Sequence, residues 1–246
     1  MIDPKDICVL VSYNDNYAKL AELTVDHNIK LYCEKHNYTL WVDIQHNLDN
    51  NRYSAWQKIK TSINILKNHN FKWLFFMDVD CLIMNSDIKL ESLIDDEYSF
   101  IVPQHNIPAE DNPITNIEGI NNIITSQFLV KNDQSGLDIL QAIWDVEGWP
   151  DGLDLSTFDY EGRQTRIVIN SLKFKDKIKI IEEKLLNCFW YFNNPFMVMH
   201  FKGINNHVWQ PGDFIVHVTG YPKEDRVRIL SDLNYFSNLH NGYEYI

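Results

Sequence analysis

The segment Phe71–Asn85 reads FKWLFFMDVDCLIMN, an apolar run that ends in Asp78 and Asp80 before apolar residues resume. Such a run is typical of a strand buried on both faces, as in the parallel sheet of an α/β domain. Ligands of open α/β sheets bind beyond the carboxyl ends of the strands, so we expect both aspartates at a binding edge. A hard divalent cation would satisfy the two carboxylates and could bridge to phosphate oxygens. A chance D-x-D in a solvated loop is the alternative.

The bulk composition excludes several classes of protein. With 246 residues, 45% apolar and 23% charged, the chain is long enough for one large α/β domain or two small ones. A net charge of −12 argues against a nucleic-acid partner. No signal region and no run of about 20 apolar residues is present, which predicts a soluble, cytoplasmic protein without a membrane span. The four scattered cysteines fit reduced, buried thiols.

The spacing of apolar residues predicts alternating strands and helices, with a β-α-β opening and therefore a parallel first pair. The loops are predicted at Gln104–Asn122 and Gly148–Gly162, and the chain from Ile178 is expected to be irregular and rich in aromatic residues. The predicted strands, besides the one before Asp78, are Ile7–Tyr13, Tyr38–Ile44, Ser99–Pro103, Ile123–Lys131 and Phe214–Val218. The predicted helices are Tyr17–Glu34, one capped by Ser54, Ser135–Glu147, Arg163–Leu172 and Glu224–Leu239.

His217 closes a late apolar run and precedes a turn that contains Gly220. Its ring could emerge at the same edge as Asp80, although a core histidine is the alternative. Mn²⁺ accepts carboxylate and imidazole ligands together, so two carboxylates and one imidazole would leave positions for two phosphate oxygens. Two lysines are candidate phosphate-binding cations: Lys58, which lies on the helix before the strand that ends at Asp78, and Lys223, which lies near a helix N-terminus. The alternative for each lysine is a solvated surface residue.

The region around Gln164 offers an amide that can lie beside a sugar without supplying a nucleophile. Glu161 and Asp159 are the nearby carboxylates that could act as a base or nucleophile. A solvated helix-start glutamine is the alternative. The aromatic cluster Phe189–Phe192, with Trp209, could be a sugar-stacking platform, but a satellite hydrophobic core is favoured.

Three segments resemble motifs of the galactosyl/mannosyl/xylosyl transferase family, glycosyltransferase family 34, whose members have the GT-A fold. Trp56–Ile59 (WQKI) is similar to its W-x-K-[IVP] element, and Ser126–Asn132 (SQFLVKN) to its G-S-F-L-x-R-N element. Gln210–Gly220 (QPGDFIVHVTG) is similar to its P-G-D-F-x-x-H-x-x-G element and is the most specific match. The resemblance extends over residues 7 to 223 and implies a Rossmann-like, mostly parallel sheet flanked by helices.

The resemblance also implies a reaction and the residues that carry it out. It implies retaining transfer of a hexose or pentose from a UDP- or GDP-sugar to a glycan or glycoprotein acceptor, with Mn²⁺ or Mg²⁺ as cofactor. Gln164 would lie beneath the donor sugar, with Glu161 as a possible acidic residue, and Lys223 and the Gly220 turn would stabilise the departing diphosphate. The metal is expected on Asp78, Asp80 and His217. The other residues expected around the nucleotide-sugar are Val11, Ser12, Tyr13, Lys58 and Ser126.

The chain departs from the family pattern at Arg163, Ser126 and Tyr221, where Asp, Gly and Cys are expected. The first departure leaves open whether Glu161 or Asp159 replaces the acidic residue. We expect a single GT-A domain over residues 1–246, with a nucleotide-binding half at about 1–104 and an acceptor and donor-sugar half at about 105–246. The membrane anchor of eukaryotic members is absent from this sequence, which favours a bacterial or viral origin.

Two other functions remain open from the sequence. A nucleotidyltransferase shares this kind of sheet and uses paired aspartates on Mg²⁺. It usually needs a loop rich in Gly and basic residues after the first strand, and Val11–Asp15 is not such a loop. A non-catalytic protein that binds a nucleotide-sugar or a carbohydrate is the second alternative.

Overall fold

The computed structural model describes residues 2–44, 52–105, 122–145, 160–190 and 208–242. Their strands form two sheets. The strands of the larger sheet are β1 (Ile7–Tyr13), β2 (Thr39–Ile44), β3 (Trp73–Met77), β5 (Phe100–Pro103), β6 (Gln127–Lys131) and β7 (Ile178–Ile181). Those of the smaller sheet are β4 (Cys81–Ile83), β8 (Cys188–Phe189) and β9 (Ile215–His217).

The larger sheet has the order β2-β1-β3-β6-β5-β7 and is mixed but mostly parallel. The pairs β1–β2, β1–β3 and β5–β7 are parallel, whereas β6 runs antiparallel to both of its neighbours. The parallel first pair confirms the predicted β-α-β opening. The smaller sheet has the order β4-β9-β8, with β4 antiparallel to β9.

The helices lie on both faces of the larger sheet. A continuous helical run consists of α1 (Ala18–Ala21), a π-helical segment (Glu22–Ile29) and α2 (Lys30–His36), and it ends at Asn37 with a left-handed φ of 64°. The remaining helices are α3 (Gln57–Asn68), α4 (Gln134–Trp144), α5 (Tyr160–Asn170) and α6 (Lys223–Asn241). None of the described helices is long and apolar enough to cross a membrane.

Alternate residues of β3 enter two different hydrophobic clusters. Trp73, Phe75 and Met77 pack on one side of the sheet, and Leu74 and Phe76 on the other. The strand is therefore buried on both faces, as the apolar run predicts. The four cysteines are free and buried, which confirms the prediction of reduced thiols.

The structure corrects the predicted helix Arg163–Leu172, because α5 begins at Tyr160. Glu161 and Gly162 are therefore helical, and Gln164 lies one turn inside the helix. Glycine costs about 1 kcal/mol in a helix interior, which favoured a loop here. In the folded protein Glu161 forms a buried ion pair with Lys58, a tertiary contact that local helix propensity does not take into account.

Three other expectations also need correction. The chain from Ile178 is not irregular, because Ile178–Ile181 forms β7 through non-local pairing with β5. The strand predicted over Ile123–Lys131 begins only at Gln127. Ser54 starts a 3₁₀ turn (Ser54–Trp56) and is not the residue that caps it. The predicted loops Gln104–Asn122 and Gly148–Gly162 lie mostly outside the described residues.

Candidate active site

The topology brings the ends of four strands to one edge. Asp78 follows β3 and Ser126 precedes the antiparallel β6, so the Asp78 N–H donates to the Ser126 carbonyl oxygen at 2.8 Å. Asp80 precedes β4, whose first residue pairs with His217 at the end of β9. The N–H of Val218 then donates to the Asp80 carbonyl oxygen at 3.0 Å. Asp80 and His217, two of the expected metal ligands, consequently lie at the same edge.

The side chains of Asp80 and His217 are buried and face each other, with Asp80 Oδ1 3.2 Å from His217 Nε2. The other ring nitrogen, Nδ1, is 3.1 Å from Asn187 Oδ1 and 3.4 Å from Ser126 Oγ. An amide oxygen can only accept, so Nδ1 carries a proton in this arrangement, and Nε2 is the nitrogen that either donates to Asp80 or, once deprotonated, can bind a cation. A carboxylate oxygen and an imidazole nitrogen this close together form a donor set suited to Mn²⁺ or another divalent cation, which would take the place of the proton on Nε2.

Cys81 is the third potential ligand within this group. The ligand atoms of Asp80, Cys81 and His217 lie within 4.8 Å of one another. Burial raises the pKa of the Cys81 thiol well above its usual value, and Gln127 Nε2 donates to the sulfur at 2.8 Å. The thiol therefore stays protonated at neutral pH, where a metal ligand needs a thiolate. Asp80 and His217 are therefore the members of the group that remain as candidate ligands.

Asp78 lies beside this pair but is held by a different partner. Lys58 Nζ is 3.2 Å from Asp78 Oδ1 and 3.2 Å from Glu161 Oε1, and it also donates to the Thr125 carbonyl oxygen at 3.2 Å. Burial alone would lower the pKa of Lys58, but the two carboxylates outweigh burial and raise the pKa. Lys58 is therefore a fixed cation at this edge, and Glu161 is one of its two counter-ions.

Arg226 is a site residue that the sequence analysis missed. Its Nη1 donates to Asp80 Oδ2 at 2.9 Å, and its Nε donates to the Tyr221 carbonyl oxygen at 2.9 Å. Burial would raise the pKa of Asp80, but His217 and Arg226 together hold that pKa below its ordinary value. A signal was available, because Arg226 lies in the first turn of the predicted helix Glu224–Leu239, three residues after the candidate cation Lys223.

Lys223 and Arg226 both approach the ring of Tyr17. The Lys223 ammonium is 5.8 Å and the Arg226 guanidinium carbon 6.0 Å from the ring centroid. Lys223 is exposed at the start of α6, so this end of the site carries two cations and a helix N-terminus. Gly220, in the preceding turn, has a φ of 76°, which favours glycine.

The remaining predicted residues lie at the carboxyl end of β1 and on α5. The Val11 side chain is fully buried in the core, so only its backbone can contact a ligand. Ser12 Oγ donates to Asp43 Oδ2 at 3.2 Å, and Tyr13 ends the strand half-buried. Gln164 is buried on α5, one turn after Glu161 and on the same face. Asp159 lies outside the described residues.

The described residues of the aromatic cluster Phe189–Phe192 and Trp209 pack against the hydrophobic core. Phe189 is buried and stacks on the His217 ring, with centroids 5.6 Å apart and an interplanar angle of 29°. Trp190 and Trp209 have ring centroids 6.4 Å apart and pack against one of the two core clusters. Tyr191 and Phe192 lie outside the described residues. The described part of the cluster supports the favoured core interpretation.

Comparisons with known proteins identify the family and the fold of the chain. The sequence model of the galactosyl transferase GMA12/MNN10 family matches residues 3–227. The structure is similar to that of a glycosyltransferase involved in glycosylation of the major capsid of PBCV-1, with a TM-score of 0.64, 17% identity and coverage of 92% of this chain and 98% of that one. A search of curated protein sequences finds no significant match.

Two structures of LgtC are also similar. The galactosyltransferase LgtC in complex with donor and acceptor sugar analogues matches with a TM-score of 0.56 and 12% identity, covering 93% of this chain and 95% of LgtC. A glutamine-to-glutamate active-site mutant of LgtC matches with a TM-score of 0.56 and 13% identity, covering 92% and 95%. At these identities the likeness establishes the GT-A fold.

Proposed function

Because this chain belongs to the galactosyl transferase GMA12/MNN10 family, we propose that it is a metal-dependent, retaining glycosyltransferase. It would move a hexose or pentose from a UDP- or GDP-sugar to a glycan or glycoprotein acceptor. The observation that carries the proposal is the pair Asp80–His217, whose Oδ1 and Nε2 atoms face each other at 3.2 Å beside Asp78. GT-A glycosyltransferases commonly use a divalent metal.

The proposed metal ligands are Asp80, His217 and Asp78, with Mn²⁺ or Mg²⁺ as the ion. Asn187 supports this assignment, since its Oδ1 fixes the His217 tautomer that leaves Nε2 able to coordinate. When bound, the ion neutralises negative charge on the departing diphosphate. Lys58 holds Asp78 in place and partly offsets the repulsion between the two aspartates.

The proposed diphosphate site is completed by the start of α6. Lys223 supplies a mobile cation, and the helix N-terminus and the Gly220 turn supply backbone N–H groups. These groups stabilise charge that grows as the sugar–phosphate bond breaks, and they are already oriented before the reaction. The base of the nucleotide is proposed to lie at the end of β1, near Ser12 and Tyr13.

The retaining mechanism is proposed from the residues of α5. Gln164 offers an amide that cannot take a proton from the acceptor, and Glu161 is paired with Lys58. The acceptor hydroxyl would then attack from the face that the diphosphate leaves, with Gln164 beside the developing positive charge of the sugar. LgtC, whose structure is similar, also has a glutamine in its active site, and this supports the proposal of an active-site glutamine here.

The test is a panel of UDP- and GDP-sugars assayed for release of the nucleoside diphosphate with and without Mn²⁺. We expect at least one donor to be turned over in a Mn²⁺-dependent manner, and Asp80→Asn to abolish that turnover. Asp87→Asn, at a side chain that is 87% exposed, is the matched control and should behave as wild type. Binding of a nucleotide-sugar without turnover would instead favour the non-catalytic alternative.

A further inference from the structure

Arg226 occupies a position that the proposed metal chemistry does not use. Its guanidinium contacts Asp80 Oδ2 at 2.9 Å, on the carboxylate oxygen that does not face His217. Within the part of the chain that the structure describes, its two hydrogen bonds use two of the five N–H donors. The side chain is 21% exposed, so part of it remains open to solvent beside Asp80.

A cation bound to Asp80 changes the partner that Arg226 prefers. The carboxylate carries one negative charge, and His217 and Arg226 already stabilise its ionised form. A divalent cation on Asp80 would neutralise that charge and add positive charge beside the guanidinium. The ion pair between Arg226 and Asp80 would then weaken, while an anion next to the cation would become the better partner for the guanidinium fork.

Arg226 and Lys223 are placed to act on the same anion. They lie three residues apart in the first turn of α6 and share a face of the helix. Both approach Tyr17, at 6.0 and 5.8 Å from its ring centroid. Planar bidentate donation to phosphate oxygens is a property of arginine that lysine lacks.

We propose that Arg226 is a second diphosphate-binding residue of this site, in addition to Lys223. It pairs with Asp80 while no cation is bound, and it donates to a phosphate oxygen once a divalent cation has neutralised Asp80. The inference rests on the proposed function, since it requires a nucleoside diphosphate and a divalent cation in this site. The proposal predicts that removing the Arg226 guanidinium strengthens the binding of the metal and weakens the binding of the diphosphate.

The experiment measures two affinities in the full chain. Mn²⁺ affinity without nucleotide is measured by electron paramagnetic resonance, and the affinities for UDP and GDP at saturating Mn²⁺ are measured by calorimetry. In R226M, removal of the competing ion pair should tighten Mn²⁺ binding about two- to fivefold. Loss of a charge-assisted hydrogen bond should weaken the better-bound nucleotide about ten- to a hundredfold.

The control variant is R228M. Arg228 lies on the same helix with a side chain that is 74% exposed, and its partner is Asp225 at 3.6 Å. Both affinities should match wild type in R228M. R226K keeps the positive charge but loses the planar pair of N–H donors of the guanidinium group. It should therefore bind the nucleotide more weakly than wild type and more tightly than R226M. R226K also carries the test if thermal melting shows that R226M is unfolded.

Two outcomes overturn the inference and leave the proposed function standing. The first is unchanged nucleotide affinity in R226M, which would make Arg226 a structural partner of Asp80. The second is weaker Mn²⁺ binding in R226M, which would mean that Arg226 positions Asp80 for the metal. If wild-type protein binds neither UDP nor GDP in the presence of Mn²⁺, the proposed function and the inference both fail.

Discussion

At the residue scale, the properties of His217 are set by its neighbours. Asn187 Oδ1 accepts from Nδ1 at 3.1 Å, Asp80 Oδ1 lies 3.2 Å from Nε2, and Phe189 stacks on the ring. The Asn187 amide keeps a proton on Nδ1, and the Asp80 carboxylate offers an oxygen to a cation that would be shared with Nε2. The stacked ring of Phe189 limits rotation of the imidazole.

Asn187 is therefore expected to control metal affinity without touching the metal. Asn187→Ala should weaken Mn²⁺ binding about ten- to a hundredfold, the usual cost of removing the partner that orients a histidine ligand. Asn187→Asp keeps an oxygen acceptor and should retain affinity close to wild type. Electron paramagnetic resonance of free Mn²⁺ measures both variants. Equal affinity in wild type and Asn187→Ala would contradict the role of Asn187 in orienting His217 as a ligand.

Lys58 is expected to be required for stability as well as for the site. Its ammonium is buried between Asp78 and Glu161, so Lys58→Met leaves two carboxylates without their cation. The loss should be about 3–5 kcal/mol in the free energy of unfolding, measured by urea denaturation. Lys67→Met, at an exposed position of α3, should change it by less than about 0.5 kcal/mol.

The pH dependence of this contribution follows from the raised pKa of Lys58. A lysine whose pKa is higher in the folded state contributes its full stability below the unfolded pKa of about 10.4. The contribution is lost as the pH rises through the folded pKa. The difference between wild type and Lys58→Met should therefore persist at pH 9 and shrink above about pH 10.4. A difference that disappears between pH 7 and 9 would contradict the assigned charge state.

At the element scale, α4 is fixed against β6 by its first turn. Asp133 Oδ1 accepts from the Gly136 N–H at 2.8 Å and caps the helix. A Cβ at Gly136 would collide with the Lys131 carbonyl oxygen and would lie 3.1 Å from Val130 Cγ2. The backbone of α4 therefore approaches β6 too closely for any residue except glycine.

This contact predicts that Gly136→Ala destabilises the protein, although alanine is the better helix former by about 1 kcal/mol. The collision is with backbone, which cannot move aside cheaply, so the net loss should be about 1–3 kcal/mol. Thermal or urea unfolding measures it. Ser135→Ala, the neighbouring position on the same helix, is the control and should be neutral or slightly stabilising. A stabilised Gly136→Ala variant would show that α4 can shift away from β6.

The accuracy of the sequence-based elements depended on how local their signals were. β1 was predicted with its exact bounds, because five consecutive apolar residues, Ile7–Val11, followed by Ser12 and Tyr13, need no distant partner to be recognised. β7 was missed, because its four residues gain their strand conformation from pairing with β5. The antiparallel direction of β6 could not be predicted from the sequence either, since apolar content carries no information about strand direction.

At the scale of the whole molecule, the site depends on two sheets that meet at one edge. The sequence could place Asp80 and His217 after apolar runs, and the pairing of β4 with β9 brings the two side chains together. It could not predict that Glu161 pairs with Lys58 or that Arg226 pairs with Asp80, because both contacts depend on how helices dock. The motifs indicated the chemistry, whereas tertiary packing decides which charges are neutralised.

The stereochemistry of the reaction tests the central claim most directly. Proton NMR in real time can follow the hydrolysis of an α-linked nucleotide-sugar with Mn²⁺ and identify the first anomer released, before mutarotation, without knowledge of the acceptor. A retaining site with Gln164 beside the sugar predicts that the α-anomer appears first. It also predicts that Gln164→Ala slows turnover by about one to three orders of magnitude, roughly 1.4–4 kcal/mol. A β-anomer released first would contradict the account, because inversion requires a general base that the Lys58–Glu161 pair does not provide.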